Sequence, residues 1–453
     1  MSMNVTIDKL AYGGDGVARP GTDETVVFVS RAAAADRLKV EIVEQKPRFR
    51  RARVLKVLEP GPTRTEPPCG YYSGPDEASS CGGCHLQHIT YEAQLAAKDE
   101  QVRDAIKRLG GVEPTFHPAI AAPKPLGYRN KATFHWNAVA GRFGLVAVDQ
   151  KTVLPIERCP LLAPPVDEAY RAAAAAAEAI AARDPLVRGG LITLVVRAGV
   201  ATGQTMVALV VKPSAPVALA EEFGREVLAR AKVTSILVNV NPSPDRELYG
   251  DAFTMVHGGP TILEKIGGLS FVLDPETFLQ VNTEQAATLY KVAIEAAKLT
   301  GKEKVLDLFC GNGGIALSAA KTAKEVIGIE TVSGAVKRGR ESASMNGIEN
   351  VRFRVGRVES TLKTLFHGEK VAPDVVFLDP PRAGLKPLVI ETVVKMKPKR
   401  VVYVSCNPTT LARDLKLFAK GGWIVKEVTP VDLFPQTYHV EAVATLERGT
   451  PAK

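Results

Sequence analysis

Over the first sixty residues, short apolar runs at 26–29, 38–43 and 54–58 alternate with polar positions and are punctuated by Gly13, Gly14, Gly16 and Gly21. Alternation with a period of two in runs this short predicts strands with one buried face, and the spacing suits a small antiparallel barrel. The stretch from Glu59-Pro-Gly-Pro to Pro67-Pro68 cannot hold helix and marks a boundary. Between about 111 and 270, strands such as 191–196 and 205–211 mix with an Ala-rich helix at 172–182, an α+β pattern. From about residue 304 the rhythm changes. Apolar β-rich runs at 305–309, 326–329, 351–355, 375–378 and 401–404 are separated by helical stretches, the alternation of a doubly wound parallel sheet. Ligands in that architecture bind beyond the carboxyl ends of the strands, so the residues just after each run are the ones that matter. There is no internal repeat.

A chain of 453 residues, 45% hydrophobic and 24% charged, is long enough for two or three cores. Its formal net charge of +9 favours a polyanionic partner, because Lys and Arg gain affinity by releasing counterions from phosphates; a basic soluble protein would show the same figure. Residues 46–56 hold six basic side chains around Phe49. A strand there would offer guanidinium groups to phosphates, or would be an edge kept soluble by charge. The N-terminus has no cationic head followed by an apolar core, so it does not read as a secretory signal. The Ala-rich stretch is interrupted by Glu178 and is too short to span a bilayer. A cytoplasmic protein without membrane contact is expected. Six cysteines are too few for a disulfide scaffold, and their clustering suggests metal or catalytic use in a reducing compartment.

The run at 305–309 leads into Asp307-Leu-Phe-Cys-Gly-Asn-Gly-Gly314, whose glycines let the backbone turn sharply and approach a ligand before a helix begins. The next run ends in Gly328-Ile-Glu330, a carboxylate about 20 residues on, where it can accept hydrogen bonds from ribose hydroxyls. A nicotinamide-binding fold competes, but the spacing is not G-x-G-x-x-G and an acidic residue precedes the loop, which fits an amino-acid-bearing cofactor better. In Asp379-Pro-Pro-Arg382 two prolines rigidify the loop and aim Asp379 into the crevice. Enzymes acting on base nitrogens carry a related loop with an aromatic where Arg382 stands. The last run ends in Ser405-Cys406-Asn407-Pro408, presenting a thiol at the same edge before a helix that starts near Thr409 or Thr410. An isolated cysteine is more often inert, but one at this edge is placed for nucleophilic work. Such a thiol suits one reaction in particular. Carbon 5 of uracil is too poor a nucleophile to take a methyl group directly; a thiolate added to carbon 6 makes it enolate-like, and a base then removes the carbon 5 proton. Glu441, in Thr437-Tyr-His-Val-Glu441, is the candidate base.

Cys81-Gly-Gly-Cys84 is a C-x-x-C pair, with Cys69 a short loop upstream and Cys159-Pro160 far downstream. Four thiolates suit zinc or an iron-sulfur cluster, although a zinc ribbon usually brings two C-x-x-C knuckles. His85 and His88 are substitutes under the zinc reading. A redox C-x-x-C is a third reading, without the thioredoxin-like βαβ pattern around it.

Taken together, Asp307-Leu-Phe-Cys-Gly, Asp379-Pro-Pro-Arg, Val404-Ser-Cys-Asn-Pro and Phe434-Pro-Gln-Thr-Tyr-His-Val-Glu resemble the motifs of the RNA uracil-5-methyltransferase family over nearly the whole chain. Leu10-Ala-Tyr-Gly-Gly-Asp-Gly-Val-Ala-Arg19 is similar to the TRAM domain, an OB-like RNA-binding barrel of the ribosomal RNA branch. The resemblance implies a multidomain fold: a TRAM/OB-like barrel at 1–59, an α+β central domain with an iron-sulfur segment at 60–270, and an α/β Rossmann-like class I methyltransferase at 271–453. It implies S-adenosylmethionine (S-adenosyl-L-methionine) as cofactor, lined by Gln280, Phe309, Gly311, Gly314, Glu330 and Asp379, with Cys406 as nucleophile and Glu441 as base. It implies a 4Fe-4S cluster on Cys69, Cys81, Cys84 and Cys159, structural rather than catalytic. Here the interval from Cys69 to Cys81 is longer than the family's. Gly314 stands where an Asn is familiar, and Arg357 where a small polar or acidic residue meets the adenine. Tyr128-Arg129-Asn130-Lys131 resembles a segment facing RNA. The expected product is 5-methyluridine in structured RNA, 23S rRNA by analogy with transfer RNA as the alternative, made by a monomer that flips its target base. Two competitors remain: a nitrogen-directed methyltransferase, which would not need Cys406, and an iron-sulfur RNA-binding or electron-transfer protein, which would not bind S-adenosylmethionine.

Overall fold

A computed structural model describes residues 2–20, 25–72 and 79–449; Gly21, one of the punctuating glycines, lies outside them. Strands β1 (Ser2–Thr6), β2 (Lys9–Leu10), β3 (Gly16–Ala18), β4 (Val26–Val29), β5 (Arg37–Gln45) and β6 (Phe49–Glu59) form one sheet in the order β1-β5-β6-β4-β3-β2. β1 pairs with β5 and its continuation β2 with β3. Between them the Ile7 amide donates to the Asp36 carbonyl and the Asp8 amide to that of Val17. The two ends of the sheet are thus one stretch of chain, residues 2–10, and the sheet curls round to meet itself. Leu38 and Val40 alternate inward along β5 and join Val5, Ile7, Val27 and Val29 in a closed core. In the basic run, Arg51 and Arg53 face outward but are held by Asp15 and Glu41 at 2.9 and 2.8 Å.

After helix α1 (Tyr91–Ala105) and the short strand β7 (Thr115–Phe116), the chain builds a second sheet. It consists of β8 (Lys131–Asn137), β9 (Arg142–Val146), β10 (Val153–Pro155), β11 (Leu191–Gly199), β12 (Gln204–Val211), β13 (Ser235–Val240) and β14 (Phe253–Gly258), in the order β10-β9-β8-β11-β12-β13-β14. Only β12 and β13 pair in parallel. The Ala-rich stretch lies in α2 (Pro164–Arg183), whose Ala169, Ala173, Ala176 and Ala177 are buried in this unit's core. The short α3 (Pro185–Gly190) and α4 (Leu219–Leu228) follow, then the hairpin of β15 (Ile262–Ile266) and β16 (Leu269–Leu273), and α5 (Thr283–Ala297).

The third unit alternates β17 (Lys304–Leu308), α6 (Gly314–Ala320), β18 (Glu325–Glu330), α7 (Ser333–Met345), β19 (Val351–Val355), α8 (Val358–Lys363), β20 (Val375–Leu378), α9 (Pro387–Met396), β21 (Arg400–Ser405) and α10 (Pro408–Lys420). It ends in the antiparallel pair β22 (Trp423–Val431) and β23 (Glu441–Arg448). The sheet order is β19-β18-β17-β20-β21-β23-β22-β7. From β17 the chain winds outward to β19 and then crosses to β20, so a topological switch point lies between β17 and β20.

Residues 60–270 do not all pack in the middle unit. β7 extends the third sheet beside β22, and α1 lies on that unit through a buried Lys98–Asp432 ion pair of 2.7 Å. No helix among the described residues is long and apolar enough to cross a membrane.

Candidate active site and cysteine cavity

A cavity of about 1080 Å³ opens beyond the carboxyl ends of β17, β18, β20 and β21, where the switch point leaves a crevice. Gln280, Phe309, Gly311, Gly314, Glu330 and Asp379 line it, and so do Cys406 and Glu441. The loop after β17 is held tightly. The Phe309 and Cys310 amides donate to the Ile329 carbonyl at 3.0 and 3.1 Å, and the Gly311 amide donates to Glu330 Oε2 at 3.1 Å. Glu330 Oε1 accepts from the Thr331 and Val332 amides, which fixes its carboxylate at the crevice. Gly313 has φ +91° and its missing Cβ would stand 2.7 Å from Phe353, so only glycine fits that turn. Gly314 departs from the family pattern for a local reason: a Cβ there would lie 2.4 Å from the Tyr290 hydroxyl, which occupies the space a longer side chain would need. Arg357, the other departure, also lines the cavity.

The thiol and the candidate base are brought together by strand register. β21 runs antiparallel to β23 with Ser405 opposite Ala442; Cys406 directly follows the one and Glu441 directly precedes the other, and both line the cavity. Asn407 caps α10, accepting from the Thr409 amide at 3.0 Å, and donates to the Arg382 carbonyl at 3.1 Å. The Asp379-Pro-Pro-Arg382 loop is thereby tied to the thiol's own turn. Burial pushes both Asp379 and Glu441 above the usual carboxylate range, and the Asp379 charge adds to the rise at Glu441. Burial, with the negative charge of Glu441 and Asp379 behind it, pushes the Cys406 thiol up to about 11, while Arg382 pulls the other way.

Several groups at the site were not assigned a role from sequence. Arg382 Nη2 lies 3.0 Å from His439 Nε2, and burial followed by the Arg382 charge pushes His439 down to about 3, so its ring is neutral. Asp307 is fully buried and neither of its oxygens has a hydrogen-bond partner of normal geometry; Asn312 Nδ2 is likewise orphaned. Both side chains line the cavity, and a polar ligand would satisfy them. Only the acidic residue before the glycine loop hinted at this in the sequence.

A second cavity of about 450 Å³ is lined by Cys69, Cys81, Cys84 and Cys159 together, along with Arg129 and Lys131. None of the four is in a disulfide. Among the described residues no group of His, Cys, Asp or Glu converges tightly enough to hold a single metal ion. His85 and His88, the substitutes under the zinc reading, turn elsewhere. His85 packs edge-on to Tyr438, and His88 Nδ1 shares a 2.7 Å hydrogen bond with the Tyr72 hydroxyl. The two cavities share a wall, since Gln280 lines one and the next residue, Val281, lines the other.

Comparison with known proteins agrees with this layout. A family model described as tRNA (Uracil-5-)-methyltransferase matches residues 268–449. An uncharacterized RNA methyltransferase of Halalkalibacterium halodurans is 37% identical, covering 98% of this chain and 96% of its own. A second, from Gloeobacter violaceus, is 38% identical over 99% of this chain and 97% of its own. Among solved structures, the Pyrococcus abyssi tRNA (uracil-54, C5)-methyltransferase in complex with S-adenosyl-L-homocysteine superposes with a TM-score of 0.76, at 27% identity, covering 98% of this chain and all of that one.

Proposed function

The chain belongs to the S-adenosylmethionine-dependent RNA (uracil-5-)-methyltransferase family, and on that premise we propose that it forms 5-methyluridine through a covalent bond between Cys406 and carbon 6 of the target uracil. The observation that carries this reading is that Cys406 and Glu441, next in the chain to the paired Ser405 and Ala442, line the same large cavity. Cys406 releases its proton to solvent and its sulfur adds to carbon 6, sending the ring electrons toward carbon 5 and oxygen 4. S-adenosylmethionine, when bound, supplies an electrophilic methyl group. Glu441 then takes the carbon 5 proton, the double bond re-forms, and the Cys406 sulfur leaves. Arg382, which lowers the pKa of both Cys406 and Glu441, stabilises their charged forms through these steps. For the cofactor, Glu330 suits the ribose hydroxyls. Gln280, Phe309, Gly311, Gly314 and Asp379 shape the remaining wall, with the orphaned Asp307 as a further polar contact.

For the second cavity we propose a 4Fe-4S cluster held by Cys69, Cys81, Cys84 and Cys159. All four thiols line one cavity, and a single C-x-x-C with one remote Cys-Pro is less like a zinc ribbon, which usually brings two C-x-x-C knuckles. Its role is structural. The N-terminal barrel is read as a TRAM domain that binds RNA, and the target as 23S rRNA. A tRNA target is the second reading, favoured by the likeness to the Pyrococcus abyssi enzyme.

Trapping tests the chemistry. RNA with 5-fluorouridine at the target should crosslink to Cys406, since fluorine at carbon 5 cannot leave as a proton; Cys406→Ala should give neither crosslink nor 5-methyluridine. Methylation by Cys406→Ala at the parent rate would overturn the covalent route. Mapping 5-methyluridine in ribosomal and transfer RNA with and without the protein decides the target.

A further inference from the structure

The turn between β2 and β3 leaves the barrel and reaches the loop that carries the candidate base. The Tyr12 ring meets Tyr438 edge-on at 5.5 Å, and Tyr438 packs on His439 at 4.1 Å and His85 at 4.6 Å. His439 lines the large cavity beside Arg382 and Cys406, and the Tyr12 hydroxyl lies within electrostatic reach of Cys406, Glu441 and Arg382. The ring therefore stands at the rim of the chamber that holds the thiol. Its placement is enforced from several sides. Gln101 of α1 donates to the Ala11 carbonyl at 3.1 Å, Lys9 pairs with Glu100 and Asp104 of the same helix, and a Cβ on Gly14 would come within 3.3 Å of His85. Tyr12 is nonetheless 37% exposed, so core packing does not explain it. Arg382 and Arg129 set positive charge near His439, which suits an approaching phosphodiester.

We propose that Tyr12 and Tyr438 form a stacking platform at the chamber mouth, half of it supplied by the N-terminal barrel, that receives the unpaired base next to the target uridine. The proposal rests on the uracil-5-methyltransferase reading and adds a subsite to it. Drawing the target out of its stack strips its neighbour of a stacking partner, and an aromatic face replaces that partner whatever the base. The barrel then does more than attract phosphates: it completes the wall against which the RNA is splayed.

The test uses the full-length protein, Tyr12→Ala and Tyr12→Trp, with hairpin RNA carrying the mapped uridine in its loop. The neighbouring nucleotide is either intact or abasic, and both Kd and methylation are measured. Tyr12→Ala should weaken binding of the intact hairpin by roughly 5- to 150-fold, the range of one lost base–aromatic stack, while Tyr12→Trp binds as the parent does. The abasic hairpin should cost the parent a similar factor and Tyr12→Ala almost nothing more. An equal abasic penalty in both proteins, or parental binding by Tyr12→Ala, overturns the platform. Coupled penalties in Kd without any methylation would keep the platform and overturn the enzymatic reading instead. The abasic arm on the parent protein holds even if a variant folds poorly.

Discussion

At neutral pH the Cys406 thiol keeps its proton, because burial and the neighbouring Glu441 and Asp379 carboxyls all disfavour a thiolate and outweigh Arg382 and a backbone hydrogen bond, which favour it. The sign of each substitution follows. Glu441→Gln removes a negative neighbour, so the thiol's pKa should fall from about 11; Arg382→Ala removes the cation, so it should rise. Alkylation of Cys406 by iodoacetamide, followed peptide by peptide from pH 7 upward, reads this directly. A midpoint unmoved by Glu441→Gln would mean that the two groups do not interact. Because the proposed addition to the ring needs an ionised sulfur, methylation by the parent protein should also climb with pH above neutrality. Gly314 offers a second test at this scale. Its Cβ position is taken by the Tyr290 hydroxyl, so Gly314→Ala should cost about 1–3 kcal/mol through overpacking, measured by urea unfolding. Adding Tyr290→Leu should recover much of it; a harmless Gly314→Ala would show that the tyrosine is free to move.

Among the elements, the parallel strands are the ones a sequence displays. The run at 351–355 coincides with β19, the edge strand, where Arg352 and Arg354 alternate with apolar residues; the run at 375–378 coincides with β20, a central strand whose four residues are all buried and carry no polar interruption. The thiol and the glycine loop are legible for the same reason: they follow such runs directly. β22 is not, because Lys426, Glu427 and Pro430 break its pattern near the sheet's edge, and β7 is only two residues long. Nor is the docking of α1, whose buried face includes Gln94 and Lys98 where a hydrophobic period would put apolar side chains. That face reaches the catalytic loop. Lys98 pairs with Asp432 at 2.7 Å with both side chains buried, and donates to the Phe434 carbonyl at 3.0 Å. Removing one partner of a buried pair strands the other's charge, so Lys98→Met should cost roughly 3–5 kcal/mol. A thermal melt measures it, and a loss below about 1 kcal/mol, the range of a surface pair, would show that water reaches Asp432. The Arg382–His439 contact and the approach of Tyr12 arise only from tertiary packing between distant segments, and no local pattern announces them.

On the scale of the whole molecule, the cysteine segment and the catalytic loop are mechanically one piece. The His85 and Leu86 amides, just after Cys84, both donate to the Gln436 carbonyl, at 2.9 and 3.0 Å. Gln94 and Gln436 also exchange two hydrogen bonds, Nε2 to Oε1 and backbone amide to Oε1, each of 2.9 Å. Gln436 sits at φ +69°, a left-handed conformation that a non-glycine residue keeps only when its surroundings impose it. Glu441 follows five residues later, so whatever fixes residues 81–88 also fixes the proposed base. A cluster on the four thiols would act there, because metal binding energy is spent on ordering the segment that supplies the ligands. Stripping iron from the protein with a chelator, or replacing Cys84 with Ser, should then do two things beyond lowering iron and sulfide content. Amide hydrogen exchange should quicken at residues 434–441, which are far from the four cysteines in sequence, and methylation should fall while S-adenosylmethionine still binds, since its proposed site is built from the loops after β17, β18 and β20 instead. If exchange at 434–441 stays slow once the iron is gone, packing alone holds Gln436, and the cysteine segment is joined to the catalytic loop without governing it.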